Sequence, residues 1–510
     1  MKTNLDVLLV HPNASKKIYQ DLSKSFSAYE QPIWAGMIAS YLNNKGYTAN
    51  ILDCEVNQLS HEESIQKIKD FSPKIVCLVV YGQQPSASAQ NMHGSEELMQ
   101  SLKGLGMTRL YIGLAPSALP EFIISRDDEV LVCRGEGPKT IEGLLQSKDN
   151  TDPTELEKVP GLWFYDWKKK EVKSAPISPV ITDLDNEIPT MSWDLMDMMK
   201  YRTANWHSWT NEVDPNNQSP FAALYTSLGC PYSCSFCCIN APFNDNGTSR
   251  NSFRNFSPQK IISFFDQIAD FGITNVKIAD ELFVLKPNHF LETCKLIKDR
   301  GYNFNIWCYS RVNTLKEEYV IPLKEAGVNW VGLGIESGNA QVRQEVTKGR
   351  FEEVHIQDVI NKARNAGICV TGNYIFGLPT DTYETMEETL HEAMTTEIDY
   401  YNGYSCMAYP GSQLHREWSE KDSSCLPENT EAGWLGYSHH SYECYPLPTD
   451  SLKNWEVLKF RDEAFLKFFT NQEYLDRMIS KFGNSFKNEM SRMLEITLPR
   501  KIVEENSKNI

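Results

Sequence analysis

Cys230, Cys234, Cys237 and Cys238 fall within nine residues, and the first three are spaced C-x3-C-x2-C. Three thiolates carried on one wrapped loop suit a four-iron, four-sulfur cluster and leave one iron without a protein ligand. A structural zinc site takes four protein ligands, and no fourth cysteine or histidine stands at zinc-finger spacing. Cys238 directly follows Cys237 and cannot easily point into the same cluster. The other nine cysteines are scattered. Without a sign of export, such a chain is expected in a reducing, cytoplasmic compartment, with clustered thiols as metal ligands or catalytic groups. Further along stand Asp280 and Glu281, Arg311, and Glu336 in GIESG. A guanidinium fork of the Arg311 kind fits a carboxylate ligand.

Something must hold these residues together. At 510 residues the chain exceeds one ordinary core, so two or three domains are expected. The sequence divides into residues 1–150, a structured bridge at 151–220, a central domain at 221–410, and a mainly helical end at 411–510. In the first part, apolar segments at 5–10, 47–53, 75–81, 109–113 and 129–133 read as strands. Helical periodicity at 31–45 and 62–69 separates some of them, which predicts a Rossmann-like α/β domain with a mostly parallel sheet. Ligands of such folds sit beyond the carboxyl ends of the strands. The loops to watch are 11–14, 81–86, 113–117 and 134–137, which carry Gly113, Pro116, Ser117, Gly135 and Glu136. Prolines 176, 179 and 189 interrupt the bridge, and the aromatic pair Trp206 and Trp209 reads as packing.

In the central part, strands are expected at 221–226, 276–279, 304–308, 330–333 and 369–376, with helices at 258–270, 287–300, 315–326 and 353–366. Polar residues follow nearly every strand, as they do at the active end of barrel enzymes. Beyond residue 410, Ser451 is expected to cap a long aromatic helix, and Asn471 to begin another. His439, His440, Tyr442 and Tyr445 lie in the loop before it.

Several activities are disfavoured. No G-x-G-x-x-G follows the first strand and no G-x-x-x-x-G-K-[ST] occurs, which argues against a nicotinamide dinucleotide and against a phosphate-cradling loop. The net charge of −17 argues against nonspecific nucleic-acid binding. No run of eighteen apolar residues suggests a membrane span.

C-x3-C-x2-C with Phe236 just before its last cysteine resembles the radical S-adenosylmethionine (SAM) signature. The segments QPIWAGMIASYLNNKGYTANILD, GLAPSALPE and CRGEGPKT resemble the cobalamin-binding domain fused to many such enzymes. Relatives usually carry a small residue near Trp34 and often a histidine near Ala115, so this chain departs from the pattern at both. It also lacks the Asp-x-His-x-x-Gly of methionine-synthase-like cobalamin domains, so no imidazole from that motif can reach cobalt.

The resemblance implies a partial (β/α)6 barrel holding a [4Fe-4S] cluster on Cys230, Cys234 and Cys237, with SAM on the open iron and cobalamin opposite. It implies Glu336 at the SAM ribose, Arg311 at its carboxylate, and Phe236 and Asp280 beside the cofactor. Gly113, Pro116, Ser117, Gly135 and Glu136 would line the cobalamin side. The implied reaction is methylation of an unactivated carbon of a small molecule, through a 5′-deoxyadenosyl radical and methylcobalamin. A low-potential donor such as flavodoxin or ferredoxin would supply electrons. Nonmethylating cyclisation or rearrangement, and a regulator without turnover, are the alternatives.

Overall fold

The computed structural model describes residues 5–203, 220–245, 248–249, 253–347 and 355–507. Trp206 and Trp209, the start of the helix expected at 353 and the last three residues lie outside that set.

The first sheet is built from short apolar strands: Val7–His11 (β1), Ala49–Asp53 (β2), Ile75–Val80 (β3), Thr108–Gly113 (β4) and Leu131–Cys133 (β5). All six residues of β3 are buried, as a strand covered on both faces requires. Helices Ile33–Asn44, His61–Phe71 and Met92–Ser101, then the short Leu114–Ala118 and Pro120–Arg126, make the crossovers. Ser60 and Glu63 close a reciprocal cap at the start of the second of these. All five strands run parallel, with β1 between β2 and β3. The chain order therefore reverses at β1, where open α/β sheets leave a crevice.

Two strands of the bridge, Leu162–Asp166 (β6) and Glu171–Ser174 (β7), add antiparallel to this sheet. Its order is β2-β1-β3-β4-β5-β6-β7.

The second sheet comprises Phe221–Leu224 (β8), Asn275–Ile278 (β9), Asn305–Arg311 (β10), Val328–Glu336 (β11), Cys369–Phe376 (β12) and Tyr400–Ser405 (β13). These six strands are parallel and paired in chain order, with β8 and β13 as free edges of an open barrel. Helices Pro258–Asp270 and Pro287–Arg300 match the expected bounds and begin with proline, whose missing N–H is no loss there. Strand β13 was not expected from its sequence, YYNGYS, and it supplies much of one wall of the site described below.

The C-terminal helices Asn454–Phe469 and Gln472–Leu494 cover the β13 edge. Phe468 stacks on Tyr401 at 4.6 Å between ring centres, and Arg461 Nε donates to the Gly403 carbonyl at 2.7 Å. Ser451 does not cap the first of these helices, which starts three residues later. Its hydroxyl donates instead to the Asp381 carbonyl at 3.1 Å. Asn471 does cap the second, accepting from Tyr474 N at 2.9 Å. Among the described residues, no helix is long and apolar enough to cross a membrane.

The two sheets meet through side chains. Gln83 Nε2 donates to the Gln31 carbonyl at 3.1 Å, and the Gln31 amide donates to the Phe221 carbonyl. Gln84 donates to the Tyr309 hydroxyl. Lys277 Nζ pairs with Glu30 at 2.5 Å, and Arg254 pairs with Glu136.

Candidate functional site

The cysteine loop leaves β8 and is fixed at three points. At its root, Asp280 accepts from Thr226 N at 2.6 Å, from the Thr226 hydroxyl at 2.5 Å and from the Ser227 hydroxyl at 2.6 Å. Gly229, with φ of 79°, then turns the chain through a conformation that a side chain disfavours. Midway, Ser235 N donates to the Val346 carbonyl at 3.1 Å and the Ser235 carbonyl accepts from Leu414 N at 2.9 Å. Cys230, Cys234 and Cys237 are half-buried, and all three line one cavity of about 240 Å³. Cys238 is buried with its Sγ 3.7 Å from the Pro85 carbonyl, a contact with the first domain.

Burial pushes the Cys230 thiol up to about 12 and the Cys237 thiol well above its ordinary value, so both are protonated in the bare chain. Loading a metal centre must therefore displace protons, as thiolate ligation requires. Among the described residues, no three His, Cys, Asp or Glu side chains close on a single-ion site.

Arg311 ends β10, is buried, and lays its guanidinium 4.0 Å from the centre of the Tyr232 ring. Glu336 ends β11 after a register shift in the ladder, with φ of 69°. Burial raises its carboxyl to about 7, against the pull of Arg311. A left-handed residue that is not glycine carries strain, and such strain concentrates at functional positions. Both side chains line the same cavity as the cysteines, together with Phe236, Tyr232, Glu281 and Asn373. Burial first, then the neighbouring Asp280, pushes Glu281 up to about 8.

Asp280 and Glu281 thus divide the strand end between them: Asp280 is spent on anchoring the loop, and it is Glu281 that lines the cavity. The opposite wall is Ser405, Tyr409 and His439. The His439 ring lies 3.3 Å from the Ser405 hydroxyl and 2.9 Å from the Tyr409 hydroxyl. Burial drops its pKa to about 3, so the imidazole is neutral at physiological pH. His440, Tyr442 and Tyr445 do not line this cavity. Tyr442 is exposed and donates to Glu504 at 3.0 Å.

The first domain closes the cavity with Gln84, Pro85 and Ser86, from the loop after β3. A second cavity of about 130 Å³ shares Gln84, Tyr309 and Tyr404 with the first and is lined by Glu30, Lys277 and Asn402.

Gly113, Pro116, Ser117, Gly135 and Glu136 sit together at the carboxyl ends of β4 and β5. Gly113 has φ of 152°, and a Cβ there would lie 2.2 Å from the Val80 carbonyl oxygen. The Ser117 hydroxyl accepts from Gly135 N at 3.3 Å, and Glu136 accepts from Ile181 N at 3.0 Å besides pairing with Arg254. Trp34 stacks on Tyr81 at 4.4 Å. At this edge of the sheet Gln31 Oε1, Gln83 Oε1 and His11 Nδ1 are buried with no hydrogen-bond partner among the described residues. Two orphaned carbonyl oxygens beside a glycine-built edge fit a ligand rich in amide N–H groups, such as the amide side chains around a corrin ring.

Two family profiles match: B12 binding domain over residues 20–145 and Radical SAM superfamily over residues 224–393. A methyltransferase of Pyrococcus horikoshii, described as uncharacterized, is 26% identical over 87% of this chain and 89% of its own length. The anaerobic magnesium-protoporphyrin IX monomethyl ester cyclase of Rubrivivax gelatinosus is 24% identical over 93% of this chain and 79% of its own. Among solved structures, the cobalamin-dependent SAM radical enzyme OxsB, with aqua-cobalamin and SAM bound, superposes with a TM-score of 0.67. It is 16% identical and covers 96% of this chain and 72% of its own. The radical SAM methyltransferase TsrM from Kitasatospora setae, with cobalamin and a [4Fe-4S] cluster bound, gives 0.63 at 15% identity over 91% of each chain.

Proposed function

We propose, for a chain that joins a cobalamin-binding domain to a radical SAM domain and takes cobalamin and SAM as cofactors, that it transforms an unactivated carbon of a small organic molecule held between the two domains. The observation that carries this reading is the single cavity walled by the cysteine loop, by Arg311 and Glu336, and by Gln84 to Ser86 of the first domain. When bound, the cluster and SAM supply a 5′-deoxyadenosyl radical, and the corrin supplies one-carbon or electron chemistry beside it.

The chain's own residues do the positioning. Cys230, Cys234 and Cys237 hold the cluster. Arg311 pairs with the SAM carboxylate and Glu336 accepts from its ribose. Phe236, Leu282, Ile375 and Met407 exclude water from the radical's path. Neutral His439, with Ser405 and Tyr409, presents hydrogen-bonding groups to the substrate without adding charge. Holding the reacting carbon against both cofactors supplies the orientation that a bimolecular encounter lacks.

Ring closure or rearrangement without methyl transfer is the outcome we carry forward, backed by the cyclase relative that spans 93% of this chain. Carbon methylation is the second reading, backed by the Pyrococcus relative. A one-electron donor of flavodoxin or ferredoxin type would feed the cluster. All thirteen cysteines are free thiols, which fits a reducing, cytoplasmic setting.

The test is anaerobic turnover with SAM carrying a deuterated methyl group, a chemical reductant and a library of small metabolites, read by mass spectrometry. A product heavier by one labelled methyl gives methylation. A product of unchanged mass, or lighter by hydrogens, with 5′-deoxyadenosine formed, gives the first reading. Absence of 5′-deoxyadenosine from cluster-loaded protein under every condition would defeat both.

A further inference from the structure

Lys277 stands in the middle of β9, NVKI, a strand in which every residue is buried. Its side chain is only 7% exposed, and it lines the cavity of about 130 Å³ that adjoins the cysteine-walled one. The register sets Trp307 of β10 beside it and, further round the barrel, sets Tyr400 of β13 beside Thr371 of β12. All four line this cavity, as register neighbours on one face of a parallel sheet should. The Trp307 ring lies across Gly332, where a Cβ would come within 2.7 Å of it. The Lys277 ammonium stands 5.7 Å from the centre of that ring.

A lysine in such a place is a poor choice for stability alone, because a buried ion pair is often no better than apolar residues of similar volume. Its ammonium has three N–H donors. Among the described residues one side chain accepts from it, Glu30 of the first domain at 2.5 Å. Two donors remain on a residue that lines a cavity. On the same walls the Thr371 and Tyr404 hydroxyls make no hydrogen bond among the described residues. Asn402 spends an amide N–H on Asn373 Oδ1 at 3.0 Å. The unspent groups are rich in donors and include a cation, which suits an anionic acceptor. A dianion such as phosphate would meet Glu30 with one cation between them, so a single negative charge fits better. Resting on the reading that an organic substrate lies between the two domains, we propose that this cavity takes a carboxylate group of that substrate. The carboxylate sits on Lys277 with the Thr371 and Tyr404 hydroxyls, and the substrate is accordingly a carboxylic acid. Gln84, Tyr309 and Tyr404 wall both cavities, so the anchor adjoins the place where the reacting carbon must lie.

The experiment uses the full-length chain under argon, without cluster, SAM or cobalamin. Benzoate and hexanoate, each beside its primary amide, are titrated into it with phenyl phosphate as a further probe, and binding is read by saturation-transfer NMR. The unsubstituted chain is compared with Glu30→Gln, with Lys277→Met and with the double variant. The unsubstituted chain should bind the acids about tenfold or more tighter than the amides, the worth of a hydrogen bond to a charged group. Glu30→Gln removes a competitor for the ammonium and a repelling charge, so it should tighten the acids about threefold to fivefold and leave the amides unchanged. Lys277→Met should lose the preference for acids. The double variant keeps the cavity neutral and should lose it too, so a stranded Glu30 cannot be the cause.

Acids and amides bound alike by the unsubstituted chain would overturn the proposal, and so would a preference for acids that survives in the folded double variant. Either result would leave the Lys277–Glu30 pair as a contact between domains. Phenyl phosphate bound more tightly than benzoate would make the site one for phosphate, and no binding of any probe to the folded chain would overturn the proposal equally. The acid–amide comparison and Glu30→Gln leave Lys277 in place, so poor folding of the Lys277 variants leaves them decisive. No turnover is read. A failure to form 5′-deoxyadenosine would therefore sink the radical reading and leave this site standing, whereas indifference to the carboxylate would sink the site and leave that reading.

Discussion

Glu336 makes two demands on the fold that glycine would not: a left-handed backbone and a buried carboxyl. The backbone conformation costs a non-glycine residue about 1–2 kcal/mol. The carboxyl moves from its ordinary 4.5 to about 7, equivalent to roughly 3 kcal/mol if fully shielded. Its side chain is partly open to the cavity, so solvent screening leaves about 1–2 kcal/mol. Glu336→Gly removes both penalties and loses about 1 kcal/mol of stem packing. The net expectation at pH 7.5 is a gain of about 1–3 kcal/mol. Glu336→Gln removes the charge alone and should gain about 1–2 kcal/mol.

Because the folded pKa lies above the unfolded one, the favourable contribution of the neutral acid is complete below 4.5. It is lost as pH rises through about 7. The advantage of Glu336→Gln should therefore shrink at pH 5. Calorimetry of the bare chain under argon at pH 7.5 and 5 reads this, at about 2–4 °C per kcal/mol for a unit of the barrel's size. Equilibrium dialysis of cluster-loaded protein reads the other side. SAM affinity should fall about tenfold or more, the worth of a hydrogen bond to a charged group. A Glu336→Gly protein that is less stable at pH 7.5 and binds SAM normally would refute the argument, and would make Glu336 a structural strand end.

Three further outcomes follow from particular contacts. Cys234→Ala should lose most of its iron on anaerobic reconstitution and all reductive SAM cleavage, and retained cleavage would remove its role as a ligand. Gly377 has φ of 77°, and a Cβ there would lie 2.3 Å from Val457 Cγ1 in the helix Asn454–Phe469. Gly377→Ala should cost about 2–5 kcal/mol, and a double-mutant cycle with Val457→Ala should recover the packing part, about 1–3 kcal/mol, but not the backbone part. His439 is held neutral by burial, with its folded pKa near 3. Its contribution is complete above about 6.5 and is lost as pH falls towards 3, so wild type should lose about 2 kcal/mol more than His439→Asn between pH 7.5 and 5 in urea titrations.

Much of the scaffold was legible because burial writes itself into composition. The run Ile75–Val80 is apolar on both faces, and helix Pro258–Asp270 repeats its apolar residues at helical spacing after a capping Ser257. The cysteine triplet was legible because few chemistries need that spacing. Strand β13 was not. YYNGYS is aromatic and polar rather than β-branched, and it becomes a strand because Phe468 and Arg461 of a later helix cover it. Its end carries Ser405 into the cavity, so a wall of the site went unseen with it.

The division between Asp280 and Glu281 shows where sequence reasoning stops. Two neighbouring acids at a strand end have almost the same local description, and both were reasonable pocket residues. The outcome was decided by Thr226 and Ser227, more than fifty positions earlier, whose hydroxyls and backbone N–H capture Asp280 and leave Glu281 to the cavity. The same holds for His11. Its type and its place after β1 were visible, but not that one ring nitrogen lies beside Glu55 while the other is buried without a hydrogen-bond partner among the described residues. Strand pairing of β1 with β2 brings those residues together. Side chains that act on a ligand are recognised less by what they are than by which of their polar atoms the fold has left unspent, and that becomes countable only once the pairing is known.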